Sequence, residues 1–107
     1  MKSQLKKGVI EVFVLAVIAK ESSYGYKIVQ DLEKSIKITE STLYPILRRL
    51  ESQGKLKTYN ELFQGRNRKY YKITKTGKKQ ILEFLDEWEY IKNIYDMLTG
   101  VDLWKNF

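Results

Sequence analysis

Residues 9–19 are apolar on nearly every face, which favours a helix covered on more than one side, although their β-branched content also permits a strand. Hydrophobic residues then recur at helical spacing as far as Gly54 and at a shorter period after it. The helical pattern predicts helices at residues 5–19 and 24–35 and a third that starts at residue 39 or 41 and ends at 53. Gly54 is expected to end the third helix in a left-handed conformation. The predicted inward stripes are Gly25, Ile28, Val29 and Leu32 in the second helix and Leu43, Ile46, Leu47 and Leu50 in the third.

The starts of these helices are predicted from side chains that accept backbone hydrogen bonds. Ser22 or Ser23 is expected to cap the second helix, and Thr39 or Ser41 is expected to cap the third. Pro45 conflicts with the third helix, because a proline deep inside a helix costs about 3 kcal/mol. Either the regular helix begins close to Pro45, or its first turn is distorted.

The pattern after the third helix predicts a β-hairpin and then one long helix. Two β-rich runs, residues 56–62 and 70–73, flank the polar stretch 64–67. The last helix is expected to begin at residue 74 or 76 and to end near residue 99, before a glycine.

The last helix carries an apolar seam whose residues are spaced alternately by three and four positions, which is a heptad pattern. The seam is too short to form a stable coiled coil alone. We expect it to pack on the same helix of a second copy and on the first helix; the alternative is that it faces the chain's own core. The predicted dimer interface consists of Ile81, Phe84, Trp88, Ile91, Tyr95 and Leu98.

The chain's positive charge is concentrated in its middle. The formal net charge is +7, and residues 1–36, 37–80 and 81–107 carry +2, +9 and −4. A polyanion is therefore attracted to the third helix and the hairpin and repelled by the last helix.

Composition excludes several classes of function. The chain has no cysteine and no histidine, so we predict no metal site and no cofactor. Catalysis would depend on carboxylates, lysine or tyrosine, and the acidic residues of the last helix have the pattern of a solvated face, so we predict no enzyme. The longest apolar run, residues 12–19, is far too short to cross a bilayer, so a cytoplasmic protein without membrane attachment is expected.

The element order and the charge together predict a winged helix-turn-helix. This fold class is mainly α with a small β-hairpin, and its third helix enters a DNA major groove while the hairpin reaches the flanking backbone. The 107 residues suffice for one domain. Residues 1–74 are expected to form the DNA-binding part, and residues 75–107 the dimerisation helix and an apolar tail that contains Trp104 and Phe107.

The third helix supplies the candidates for base recognition. The stripe of inward residues leaves Ser41, Thr42, Tyr44 and Arg48 to point outward, with Arg49 as a further candidate. Arg48 is the best candidate for a bidentate contact with a guanine edge. Alternatively, the two arginines pair with acidic residues of the same helix, and the two hydroxyls only cap it.

The hairpin tip adds a second basic group. Its sequence, Gly65, Arg66, Asn67, Arg68 and Lys69, holds three cations and no acid. Such a turn suits a wing that lies along phosphates or enters a narrow minor groove. The alternative is an ordinary charged surface turn.

Three segments of the chain resemble the PadR family of transcriptional regulators. They are SSYGY at 22–26, STLYPILRRLE at 41–51 and GRNRKYY at 65–71, and the resemblance covers about residues 8–77. It implies a dimeric repressor whose third helix, with Thr42, Tyr44 and Pro45, meets the major groove, and it accounts for Pro45 as part of that helix. Asn67 replaces a proline that is frequent in the family's wing. The predicted DNA contacts are Tyr24, Lys27, Ser41, Thr42, Tyr44, Pro45, Arg48, Arg66, Asn67, Arg68 and Lys69.

The chain is similar to the family's short subgroup, in which one C-terminal helix pairs with its symmetry mate. Some members of that subgroup respond to drugs and bind planar aromatic compounds between subunits. The resemblance implies such an effector site at Trp88, with Val12 lining the same cleft. The alternative is that Trp88 only packs in the dimer seam.

Two other binding functions compete with a regulator of duplex DNA. A winged helix that binds RNA would use exposed tyrosines such as Tyr44, Tyr70 and Tyr71 to stack on unpaired bases. An adaptor that binds only protein would have no affinity for nucleic acid, which the basic middle segment makes the weaker alternative. We therefore expect a duplex DNA partner with an inverted-repeat site.

Overall fold

The computed structural model describes residues 3–102, with side chains from residue 6 onward. It confirms the predicted fold class, four helices and an antiparallel hairpin. The tail residues Trp104 and Phe107 lie outside the described part of the chain. In chain order the elements are α1 (Ser3–Lys20), α2 (Gly25–Glu33), α3 (Glu40–Ser52), β1 (Leu56–Phe63), β2 (Arg66–Ile73) and α4 (Lys75–Thr99).

The start of α2 differs from the prediction. Tyr24 is its N-cap residue and makes no side-chain capping bond, so the predicted serine cap is wrong. Ser23 instead pairs with Tyr71 of β2, with N···O distances of 3.1 and 2.7 Å in the two directions, and its side chain is buried. Ser23 therefore pairs with the sheet through its backbone. This pairing takes the place of the predicted serine cap of α2.

The third helix begins where the threonine cap predicts. Thr39 is the N-cap of α3, and its Oγ1 accepts a hydrogen bond from the Thr42 amide at 3.3 Å. Pro45 lies inside α3 on its exposed side, so the helix accommodates a proline that removes one backbone donor. Gly54 ends this region with φ of +74°, the left-handed conformation that was predicted.

The core lies between the first three helices and the base of the hairpin. Both predicted inward stripes, those of α2 and α3, are buried. They pack with the centre of α1 and with the buried ends of the two strands. Within the described residues, the fully buried large apolar side chains are Val14, Leu15, Ile18, Ile28, Leu32, Leu43, Leu47, Leu50 and Leu56.

The hairpin extends from this core as a two-stranded ribbon. The register runs from Leu56 opposite Ile73 to Phe63 opposite Arg66. Gln64 and Gly65 form the turn with φ of +52° and +78°, the pair of positive values that a type I′ turn requires. We call β1, the turn and β2 the wing, residues 56–73.

The last helix leaves the body of the protein after its first turns. Thr74 caps it by accepting from the Gly77 amide at 3.1 Å and donates its own hydroxyl to the Gly54 carbonyl at 2.6 Å. Ile81 packs against the core and Phe84 is half-buried, but every later side chain to Asp102 is exposed. The radius of gyration is 17.5 Å, against about 13 Å for a compact chain of this length. The distal part of α4 is thus a projecting helix.

Candidate nucleic-acid interface

The outer face of α3 presents five of the predicted DNA contacts together. Their side chains are exposed on the side of the helix opposite the buried stripe. Among the residues that the structure describes, Arg48 takes part in no ion pair, so its guanidinium is available to a ligand. The five residues are Ser41, Thr42, Tyr44, Pro45 and Arg48.

The first turn of α3 holds a cluster of three exposed hydroxyls. Thr39 Oγ1 hydrogen-bonds with Ser41 Oγ at 2.9 Å and with Thr42 Oγ1 at 3.1 Å. Thr39 is the residue that caps the helix, so Ser41 and Thr42 are free of that role. Amides and hydroxyls at a helix start favour an anion such as a phosphate.

Tyr44 is fixed between the second and third helices. A Cβ atom on Gly25 would lie only 2.5 Å from the Tyr44 hydroxyl oxygen, so a glycine is needed for this approach. The Tyr44 hydroxyl donates to Glu40 Oε2 at 3.4 Å. Burial, followed by the negative charge of Glu40, raises the pKa of Tyr44 above its usual value, so the phenol stays neutral. Because its one proton is donated to Glu40, the half-exposed Tyr44 can offer a ligand its ring and its hydroxyl oxygen as an acceptor.

Arg49 points away from the outer face. Its Nε donates to Glu11 Oε1 at 2.7 Å and its Nη2 contacts the same oxygen, which joins α3 to α1. The alternative to DNA contact was that the two arginines pair with acidic residues of α3 itself, but Arg49 pairs with a different helix. Glu51 instead accepts from Thr58 Oγ1 of β1 at 3.1 Å.

The cations of the wing differ in their surroundings. Because the turn comprises only Gln64 and Gly65, residues 66–69 belong to β2 and alternate between the two faces of the ribbon. Arg66 and Asn67 are exposed beside the turn. Lys69 lies on the face toward α3, with its Nζ 3.6 Å from Glu51 Oε1. Arg66 is thus the wing cation that is most available to a ligand.

The two candidates at the start of α2 are engaged within the chain. Lys27 forms an ion pair with Glu21, and this hydrogen bond raises the pKa of Lys27 and lowers the pKa of Glu21. Tyr24 lies against the guanidinium of Arg68 on the outer face of the wing. If Lys27 binds DNA, its ammonium group also has Glu21 as a partner, and if Tyr24 binds DNA, its ring also has Arg68 as a partner.

The sequence pattern did not reveal a set of aromatic residues on the outer face of the wing. Tyr59 stacks on Tyr70 with ring centroids 5.4 Å apart, and Phe63 lies under Arg68. The sequence did contain part of this information, since alternation with a period of two places Tyr59 and Phe63 on one face of β1. It could not identify their neighbours on β2, because the sequence does not define the strand register.

A groove between α1 and α4 is lined by one of the two predicted effector residues, Val12, but not by the other, Trp88. Val12 lines it, and Trp88 lies beside it, stacked on Phe84 with ring centroids 6.0 Å apart and an interplanar angle of 13°. Two carboxylates give the groove a negative charge. Its lining consists of Gly8, Val9, Val12, Gln80, Glu83, Phe84 and Glu87.

Within the described residues, no helix combines the length and the apolar character needed to span a bilayer.

Known proteins match this chain over most of its length. Residues 14–83 match the family described as "Transcriptional regulator PadR-like family". A curated protein of Lysinibacillus sphaericus is 33% identical over 102 residues, 91% of this chain and 94% of that protein. The Streptococcus mutans protein smu.1704 is 42% identical, with a TM-score of 0.78 over 88% of this chain and 89% of that chain. A PadR-like transcriptional regulator from Bacillus cereus is 31% identical, with a TM-score of 0.81 over 94% and 100% of the two chains.

Proposed function

The chain belongs to the PadR-like family of transcriptional regulators, and from that premise we propose that it represses transcription as a homodimer bound to an inverted-repeat operator. It is a DNA-binding regulator and not an enzyme. The observation that carries the proposal is the exposed face of α3, where Arg48 has no ion-pair partner among the described residues. In this proposal the protein acts in the cytoplasm, residues 1–74 bind DNA and residues 75–107 join the two copies.

The distal part of α4 supports the homodimer. Trp88, Ile91, Tyr95 and Leu98 are between 44% and 63% exposed although they form one apolar seam. A helix of 25 residues is about 37 Å long, so two copies packed along the seam bury apolar surface that a lone chain leaves in water. The two α3 helices would then lie about 34 Å apart, one turn of B-DNA.

The tyrosines make RNA binding the weaker alternative. Tyr71 is only 4% exposed, and Tyr70 lies between the rings of Tyr59 and Tyr24. Stacking on unpaired bases requires free ring faces. Tyr71 is buried and Tyr59 covers one face of Tyr70, so of the three tyrosines only Tyr44 presents an exposed ring. The deciding experiment is competition: duplex DNA selected from a random pool should displace a labelled DNA probe, whereas RNA of equal charge should not. Equal displacement by RNA would contradict the proposal.

The salt dependence of DNA binding tests the role of the wing. Arg66→Gln should lower the log–log slope of affinity against salt by about 0.9 for each phosphate that the variant no longer neutralises, hence roughly twice that in a symmetric dimer. Lys69→Gln should lower it less, because Glu51 already neutralises part of the Lys69 charge. Filter binding or fluorescence anisotropy at several salt concentrations provides the slopes. An unchanged slope in Arg66→Gln would exclude the wing tip from the interface.

The groove between α1 and α4 supports a second proposal, that a planar aromatic cation binds there and releases the regulator from its operator. Val12 and Phe84 offer apolar contact, the stacked Trp88 offers an indole face, and Glu83 and Glu87 favour positive charge. A planar cationic dye should quench tryptophan fluorescence, and Trp88→Leu should abolish both the quenching and the high-affinity binding of the dye. The matched control is Trp104→Phe, which should retain both. Quenching that persists without Trp88 would refute this site.

A further inference from the structure

The outer face of the wing contains an arginine between two aromatic rings. The Arg68 guanidinium carbon lies 3.9 Å from the ring centroid of Tyr24 and 3.7 Å from that of Phe63. Tyr24 belongs to the body of the protein, at the start of α2, whereas Phe63 lies at the end of β1 beside the turn. We call these three side chains the clasp. It joins the tip of the wing to the body.

Arg68 has a carboxylate nearby with which it does not form an ion pair. Glu61 lies directly opposite Arg68 in the strand register, yet no ion pair joins them in the described part of the chain. The guanidinium instead stacks between the two rings. A planar guanidinium can offer a flat face to each of two rings, whereas the compact ammonium of lysine cannot. The geometry therefore depends on arginine specifically and not on positive charge alone.

The wing needs such a contact because its outer half has no core of its own. From Tyr59 to Asn67 every side chain is exposed, and Leu62 is 77% exposed. An isolated two-stranded ribbon is marginally stable in water.

Further contacts connect the clasp with α3. Tyr24 contacts Tyr70 edge to face, with centroids 5.4 Å apart. The next residue in the chain is Gly25, against which Tyr44 of α3 packs. A continuous set of contacts thus connects Arg68 on the wing with the exposed face of α3.

We propose that Arg68 is a positioning residue, which holds the wing at a fixed angle to α3 through stacking between Tyr24 and Phe63, and does not bind a phosphate of the DNA. The inference rests on the proposed function, because the fixed angle matters for reading an operator. It departs from the prediction that Arg66, Arg68 and Lys69 all contact DNA. Arg66 then contacts the DNA, and Arg68 determines where Arg66 lies.

The first test needs no DNA. Backbone ¹⁵N relaxation of the free protein should report fast motion of residues 64–67 in Phe63→Leu and in Arg68→Lys, and an ordered turn in the natural sequence. Leu62→Ala is the matched control, since Leu62 is exposed, adjacent to Phe63 and on the opposite face of the ribbon. It should leave the turn ordered. Equal order in all four proteins would overturn the proposal.

The second test measures operator binding. Arg68→Lys keeps the charge but should weaken binding by about 3- to 10-fold, and Phe63→Leu, which removes no charge, should weaken it to the same extent, as expected when a cation–π interaction is removed. The double variant should be no worse than either single variant, because both remove one shared interaction. Full affinity in Arg68→Lys together with full affinity in Phe63→Leu would identify Arg68 as an ordinary phosphate contact.

The two tests separate this inference from the proposed function. If the natural sequence binds no duplex DNA, the proposed function fails, and the relaxation measurement still decides whether the clasp orders the wing. If the natural sequence binds its operator but the wing turn stays ordered in Phe63→Leu and Arg68→Lys, the clasp fails alone.

Discussion

Replacement of Ile91 by glutamate is expected to convert the dimer to a monomer at micromolar concentration. Ile91 is 44% exposed in the middle of the apolar seam of α4. Pairing of the seams would bury two glutamates without partners, and each buried carboxylate costs several kcal/mol. Operator affinity should fall by at least about 100-fold, because one chain alone lacks the effective concentration that the second half-site provides. Sedimentation velocity and DNA titration measure the two effects.

The control for this substitution is on the same helix. Helical spacing places Asp86 on the side of α4 away from the seam, and its side chain is exposed. Asp86→Asn should therefore leave both the dimer and operator binding intact. A dimer that persists in Ile91→Glu would contradict the assignment of the seam as the interface.

Replacement of Arg48 by alanine is expected to reduce discrimination between operator and unrelated DNA. Arg48 is exposed on the outer face of α3 and has no ion-pair partner in the described residues, so it is free to reach a base edge. A bidentate contact with guanine contributes about 1–3 kcal/mol, or about 5- to 150-fold in operator affinity for each half-site of the dimer, whereas non-specific affinity should barely change. Titrations of both duplexes at one salt concentration measure the ratio.

The adjacent arginine provides the comparison. Arg49 has the same chemistry one position further along α3, but it pairs with Glu11 of α1. Arg49→Met should lower the thermal unfolding midpoint and keep the ratio of operator to non-specific affinity. If Arg48→Ala lowers affinity for both duplexes equally, Arg48 contacts the DNA backbone and does not read a base.

The elements that the sequence predicted best are those with strong hydrophobic periodicity. The stripes of α2 and α3 are buried as predicted, because a period near 3.6 determines which side of a helix faces the core. The outer face of α3 follows from the same geometry. The start of α2 was predicted less well, because the local capping preference of Ser23 competes with a backbone pairing to Tyr71, a residue far away in sequence.

The partners of the charged residues were not predictable from spacing. Glu11 and Arg49 are 38 positions apart, and only the packing of α1 on α3 brings them together. In the wing, the sequence pattern did not distinguish the three cations, whereas the structure gives Arg66, Arg68 and Lys69 different surroundings. This difference depends on the strand register and on Tyr24, which no local pattern in the hairpin encodes.

The central claim is that two copies, joined through α4, present their α3 helices to two successive major grooves on one side of a duplex. Hydroxyl-radical footprinting on an operator selected from random DNA, performed across a protein titration, tests it most directly. We expect two protected regions about one helical turn apart that appear at the same protein concentration. A single protected region, or two that fill independently at different concentrations, would contradict it.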